Sequence, residues 1–291
     1  MPLFLPGTIF YGMKDLYGRL AEGLITVLSG AGISTDSGIP DYRGEDRTRA
    51  RKHDGDSGPV TYKQFMGSAD KRRHYWARSA LGWPWIRSRE PNRAHRILSR
   101  LEEAEHINGI ITQNVDDLHF KAGSRNVIEL HGNLKQVKCM GCGGMSSRDE
   151  LQERMLLDNP PWKRLSSDYS PDGDALLSED VTREFRTPGC PACGGILKPD
   201  VVFFGENVPR TRVQSCYALV DECDLLLVLG SSLAVRSGLR FVEHAKNTGK
   251  PVIIVNRGTT RGDASADLKV DTSITQWLET HLAEPEISPR A

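Results

Sequence analysis

Short runs rich in branched apolar residues punctuate this chain, and several of them close on small or polar residues. Leu24–Leu28 runs into Ser29-Gly30, Ile107–Thr112 into Gln113-Asn114, and Val127–Leu130 into His131-Gly132. Leu225–Leu229 closes on Gly230-Ser231-Ser232, and Pro251–Val255 on Asn256-Arg257-Gly258. Apolar runs of this length read as strands buried on both faces, which is the pattern of a parallel sheet covered by helices. A further strand is expected at Val201–Phe204. Residues 13–23 read as a helix with Leu16 and Leu20 on one face and Gly23 at its end, and a second helix is expected over 91–104. Residues 61–90 carry Tyr75-Trp76 and Trp83-Pro84-Trp85 at irregular spacing and read as short helices packed as a separate cap. In open α/β sheets ligands bind outside the carboxyl ends of the strands, so polar clusters far apart in sequence are expected to converge on one crevice.

Bulk composition narrows the classes. Lys plus Arg equals Asp plus Glu at 38 each, which predicts neither nucleic acid nor a membrane surface as partner. No apolar run approaches the roughly 20 residues that span a bilayer. The opening Met1-Pro2-Leu3-Phe4-Leu5-Pro6 lacks a basic leader and is broken by two prolines, a poor secretion or mitochondrial signal. Residues 45–58, charged and glycine-rich, are expected to form a mobile surface loop, and residues 282–291 a frayed tail.

Four of the six cysteines form two Cys-x-x-Cys pairs, Cys139/Cys142 and Cys190/Cys193. Two tight turns offering two thiolates each complete a closed tetrahedral zinc site, which holds a fold and does no chemistry. The competing reading, two redox dithiols, wants a thioredoxin-like βαβ context that is absent around them. Cysteine used this way points to a reducing, cytoplasmic setting. Cys216 and Cys223 fall on an expected helix and read as buried bystanders. The 143–189 stretch is longer than a bare zinc ribbon requires.

The glycines Gly30 and Gly32 after the first strand let the backbone turn tightly beside a ligand, and a helix starting near Ser34 would aim its free N–H groups at a pyrophosphate. This is not the dehydrogenase fingerprint, whose third glycine would fall where Thr35 stands. His131 at a strand end is either a structural histidine or a proton acceptor near neutrality. Gln113, Asn114 and Asp116 are either ligands for a polar cofactor or Asx-type turn caps.

The fifteen residues Gly30–Gly44, followed in order by Thr112-Gln-Asn-Val-Asp116, His131-Gly132, both Cys pairs, Lys198–Gly205, Gly230-Ser-Ser232 and Asn256, resemble the sirtuins, the NAD-dependent protein deacylases. The match covers roughly residues 14–278, and Pro199–Glu206 with the zinc module looks most like class II. The resemblance implies an α/β Rossmann-like parallel sheet with helices on both faces, a small zinc-binding module and a helical insert. It implies one catalytic domain over 1–286, with a core at 14–44, 91–134 and 199–280, a helical module at 45–90 and a zinc module at 135–198.

The implied activity is deacylation of lysine with release of nicotinamide and 2′-O-acyl-ADP-ribose, with NAD as co-substrate and acyl-lysine peptides as partners. Protein mono-ADP-ribosylation and a low-turnover NAD-binding module are the alternatives. The family assigns proton acceptance to His131, with Asn114 and Asp116 beside it. The resemblance places the cofactor against Gly30, Ala31, Gly32, Ile33, Ser34, Thr35, Asp36, Ile39, Asp41, Tyr42 and Arg43. It adds Gln113, Asn114, Val115, Asp116, Gly230, Ser231, Ser232, Asn256, Arg257 and Gly258. Val201, Val202, Phe203, Phe204, Leu233 and Val235 would pair with an extended substrate peptide. Asp117 stands where relatives usually carry a small residue and is expected to face solvent. Tyr75 and Arg78 have the spacing that reads acidic acyl groups in one branch, within a helix shared by class II relatives and so not diagnostic.

Overall fold

The computed structural model describes residues 16, 18–41, 59–165, 167–170 and 173–282. Its strands are β1 (Ile25–Ser29), β2 (Ile107–Thr112), β3 (Val127–Glu129), β4 (Gly132–Cys139), β5 (Met145–Ser147), β6 (Leu197–Val201), β7 (Leu225–Leu229), β8 (Val252–Val255) and β9 (Leu268–Val270). Six of them form one sheet in the order β3-β2-β1-β7-β8-β9, every pairing parallel. The strand order reverses between β1 and β7, so the loops leaving these two central strands flank the crevice.

Both faces of the sheet are covered, and residue alternation shows how. Leu225, Leu227 and Leu229 join Val27, Ile253 and Val255 in a core closed by Leu16, Leu20, Leu98, Leu101 and Trp277. Leu226 and Val228 turn the other way, with Leu28, Val252 and Ile254, onto Cys216, Val220, Phe241 and Val242. Adjacent strand residues face opposite sides, so a run without polar interruption is what a doubly covered strand demands. Cys216 and Cys223 are fully buried, as a structural role requires.

The second lobe corrects the expected division. Residues 69–87 form one 19-residue helix, preceded by the short helix Tyr62–Gly67, in place of several short helices. These helices are no separate cap: Phe65, Trp76, Ala77 and Ala80 share one core with Val137, Leu151, Met155, Cys139 and Cys190. The strand expected at Val201–Phe204 forms at Leu197–Val201 and belongs to a three-stranded antiparallel sheet, β5-β4-β6. Lys198 and Pro199 pair across to β4, a partner that periodicity could not name. Part of the long stretch between the Cys pairs packs back on the 69–87 helix: Trp162 Nε1 donates to Ala77 O, and Tyr169 stacks on Trp85. The expected 45–58 loop and all but the first residue of the expected tail lie outside the described residues.

Candidate active site

The loop after β1 and the loop after β7 interlock. Gly30 N donates to Leu229 O and Gly32 N to Gly230 O, at 3.0 and 2.9 Å. A Cβ on Gly30 would lie 2.8 Å from Gly230 O, and one on Gly32 2.8 Å from Gly230 Cα. Gly230, at φ 62, would bring a Cβ within 2.5 Å of Ile33 N. The glycines therefore serve a backbone-to-backbone fit across the switch point. A 3₁₀ helix, Ala31–Ser37, replaces the helix expected from Ser34. The amides of Gly30, Gly32 and Ile33 are bonded to protein carbonyls, while Ala31, first in that helix, has no intrahelical acceptor.

Residues 113–116 leave β2 into the same crevice and are bound there. Asn114 Nδ2 donates to Gly30 O and to Ser34 Oγ, at 3.2 and 3.1 Å. Ser34 Oγ donates to Asp116 Oδ2 at 2.7 Å, and Asp116 Oδ1 accepts from Leu118 N. Burial, with the neighbouring Asp117 adding to it, holds the Asp116 carboxyl above its ordinary range. Gln113 Nε2 donates to Ser231 Oγ at 2.7 Å, tying the β2 loop to the β7 loop.

His131, at the end of β3, is held at both ring nitrogens. Nδ1 bonds Gln113 O at 2.9 Å and Nε2 bonds Ser237 Oγ at 2.8 Å. A carbonyl only accepts, so Nδ1 carries the hydrogen and Nε2 keeps the lone pair. Burial pushes the imidazole below its ordinary pKa, the Arg212 guanidinium adds to that, and the Gln113 carbonyl opposes it. A neutral ring with its lone pair at Nε2 is the state a proton acceptor needs. Ser237 carried no signal in the sequence; only the fold brings the helix Arg236–Asn247 to this ring.

Asp117 does not face open solvent, contrary to expectation. Its residue adopts φ 67, and its half-buried carboxylate pairs with Lys135 Nζ at 2.6 Å. The left-handed turn breaks the extended alternation on which the expectation rested. Arg78 Nε donates to Ala175 O inside the second lobe, and Tyr75 packs on Phe65 and Phe203.

The remaining residues are spread along the crevice rim. Thr35 Oγ1 bonds Gly32 O, and Asp36 accepts from Thr275. Ile39 is buried with Trp83, Leu118 and Leu134, with Val115 against that group, and Asp41 is half-buried. Ser232 O accepts from Arg261 N; Asn256 Nδ2 bonds the carbonyls of Arg257 and Gly258 beyond β8. Tyr42 and Arg43 lie outside the described residues. Of the peptide-pairing residues, Phe204 and Val235 are exposed, whereas Phe203 and Leu233 are buried in the two lobes. Val202 N donates to His131 O, which joins the β6 exit to the histidine.

At the far end of β4 the four cysteine sulphurs lie within 4.8 Å of one another, with Cys139–Cys193 at 3.5 Å and Cys142–Cys190 at 3.9 Å. Four thiolates at about 2.3 Å from a zinc ion stand about 3.8 Å apart, so this set fits the metal. The two turns repeat one hydrogen-bond pattern: Gly143 N to Cys139 O, and Gly194 N to Cys190 O.

A model of the Sir2 family matches residues 30–237. The chain is 49% identical over 280 residues to NAD-dependent protein deacetylase 1 of Mycobacterium avium, covering 94% of this chain and 95% of that one. It is 45% identical over 271 residues to the NAD-dependent protein lipoamidase sirtuin-4, mitochondrial, of Bos taurus, covering 91% and 82%. A solved structure of Sir2 with p53 peptide and NAD+ superposes with a TM-score of 0.75 at 30% identity, covering 95% of this chain and 99% of that one.

Proposed function

The chain belongs to the Sir2 family and is an NAD-dependent protein-lysine deacylase, and from that premise we propose which of its residues perform the reaction. It removes an acyl group from lysine and releases nicotinamide and 2′-O-acyl-ADP-ribose. NAD supplies the electrophilic ribose carbon on which the acyl oxygen is caught; the protein must orient the partners and take up one proton. His131 takes that proton at Nε2. The observation that carries this role is the pair of bonds on its ring, which leaves the lone pair at Nε2 and a hydrogen at Nδ1.

Asn114, Ser34 and Asp116 form one hydrogen-bonded unit across the crevice, and we assign them to the nicotinamide-ribose end. Ser231, Ser232 and Gly230 face them from β7 at the phosphates, and Asn256 holds the adenosine ribose. Phe204 and Val235, exposed on opposite lobes, flank the peptide. Cys139, Cys142, Cys190 and Cys193 would hold one structural zinc far from the chemistry. We further propose class II membership, one catalytic domain over 1–286, and a cytoplasmic location, the last because thiols grouped for metal suit a reducing compartment.

His131→Ala tests the reading. NAD binding by calorimetry should persist while deacylation, followed by mass spectrometry of nicotinamide and peptide, falls about 10²–10⁴-fold. Normal turnover by the variant overturns the assignment. Running wild type on acetyl-, longer acyl- and acidic acyl-lysine peptides identifies the acyl group, and ADP-ribose mass on protein without deacylated peptide would promote the transferase alternative.

A further inference from the structure

We propose that Ser237 is a positioning residue for the proton acceptor: its hydroxyl holds the His131 ring at Nε2 and follows the proton that arrives there. The inference rests on the role given to His131 above. Ser237 Oγ lies 2.8 Å from Nε2, and because Nδ1 donates to Gln113 O, the serine hydroxyl is the donor at Nε2 while the ring is neutral. Held at both nitrogens, the imidazole cannot flip or swing out of register with the crevice. The hydroxyl rotates about its C–O bond to free the Nε2 lone pair for the incoming proton, and then accepts from the new Nε2–H. Ser237 neither gains nor loses a proton in the exchange, and the ring has a hydrogen-bond partner in both of its charge states.

The surroundings explain why such a partner matters. His131 is largely buried, so an imidazolium there gains little from water. The charged group acting on the ring is Arg212, itself loosely paired with Asp200 at 3.9 Å, and it opposes the protonated form. Ser237 stands in the first turn of the 12-residue helix Arg236–Asn247, whose positive N-terminal end works in the same direction. A hydroxyl able to accept from Nε2–H offsets both. Among the described residues, no other side chain bonds Nε2.

The next residue eases this placement. A Cβ on Gly238 would sit 2.6 Å from Gln113 Oε1 and 2.9 Å from its Cδ. A side chain at 238 would have to displace the end of the Gln113 side chain, which is bonded to Ser29 O and Ser231 Oγ. Glycine lets the start of the helix close on this segment, and bring Ser237 to the ring, without disturbing those bonds.

The experiment compares Ser237→Ala, Ser237→Thr and His131→Ala. In protein without NAD, the imidazole nitrogen resonances of His131 are followed by NMR. Ser237→Ala should move Nε2 towards an unbonded lone pair and leave Nδ1 unchanged, whereas Ser237→Thr, which keeps a hydroxyl, should retain the wild-type position. With acyl peptide and NAD, Ser237→Ala should lose about tenfold or more in kcat, the worth of a hydrogen bond to a charged group, with KM for NAD within about twofold. Ser237→Thr should recover most of that loss. An unmoved Nε2 resonance in Ser237→Ala, or an unchanged kcat, overturns the proposal. If Ser237→Ala turns over normally while His131→Ala is inactive, only the role of Ser237 fails; if His131→Ala is also active, the acceptor assignment fails with it.

Discussion

Replacing Gly230 by alanine tests whether the crevice is built by backbone contact between the β1 and β7 loops. Gly230 lies at φ 62, and an added Cβ would fall 2.5 Å from Ile33 N, 2.7 Å from Gly32 C and 2.7 Å from Ile274 Cδ1. Two costs add. The left-handed conformation costs a non-glycine residue about 1–2 kcal/mol. The overlap with a rigid backbone costs about 1–3 kcal/mol more, as overpacking does elsewhere. Gly249 supplies the control: its φ is 74, but nothing lies within 4 Å of an added Cβ, so Gly249→Ala carries the conformational cost alone. At about 2–4 °C per kcal/mol for a chain of this size, Gly230→Ala should melt roughly 4–20 °C below wild type and Gly249→Ala only a few degrees below. Relief of the clash must push Gly32 and Ile33 away from β7, so NAD affinity should fall at least about tenfold in Gly230→Ala and stay unchanged in Gly249→Ala. Differential scanning calorimetry and NAD titration by calorimetry read both quantities. Equal melting points for the two variants, or wild-type NAD binding by Gly230→Ala, would refute the interlock.

Three further outcomes are expected of the zinc turns, the Lys198 pair and the buried titratable groups. Metal analysis should find one zinc per chain, and Cys193→Ser should lose it together with the tertiary signal of Trp76 and Trp162, because Cys139 and Cys190 belong to the core that buries those rings; a metal-free variant with native near-UV dichroism would contradict this. Glu206→Ala should leave the buried Lys198 ammonium, 3.0 Å from Glu206 Oε2, without its counter-charge, at about 3–5 kcal/mol. Because Glu206 also accepts from Phe203 N, the peptide KM should rise more than the NAD KM, and equal changes would argue against a role in holding the peptide edge. Burial lowers His74 and His119 to about 4, and His95 also falls well below its ordinary value. Groups depressed on folding contribute stability that is complete above an unfolded pKa of about 6.5 and is lost as pH falls towards 4, at about 1.4 kcal/mol per unit of depression. Asp116 and Glu129, raised by burial, act in the opposite sense, favouring the fold at low pH and losing that contribution as pH rises. With four depressed histidines, His131 among them, against two raised carboxyls, the melting temperature should fall between pH 7 and 5, and His119→Asn should flatten the slope; a profile that is flat in wild type would refute the argument.

The amino-acid order by itself determined the parallel sheet, the zinc ligands and the family. Leu225–Leu229 and Val252–Val255 are apolar at every position because both faces of those strands are covered, a local property that any reader of the chain can see. The four cysteines declare themselves by two short spacings, since one tight turn must present each pair. What only the tertiary structure decided are contacts between segments far apart in the chain. Leu197–Val201 pairs with β4 rather than extending the large sheet, and the aromatic helix shares a core with the zinc turns. Asp117 turns onto Lys135 through a left-handed residue that no alternation rule foresees. Ser237 meets His131 across 106 positions because the fold lays the start of a helix against Gln113. Periodicity records which face of an element is covered, not what covers it, and the hydrogen bonds that hold the His131 ring are information of the second kind.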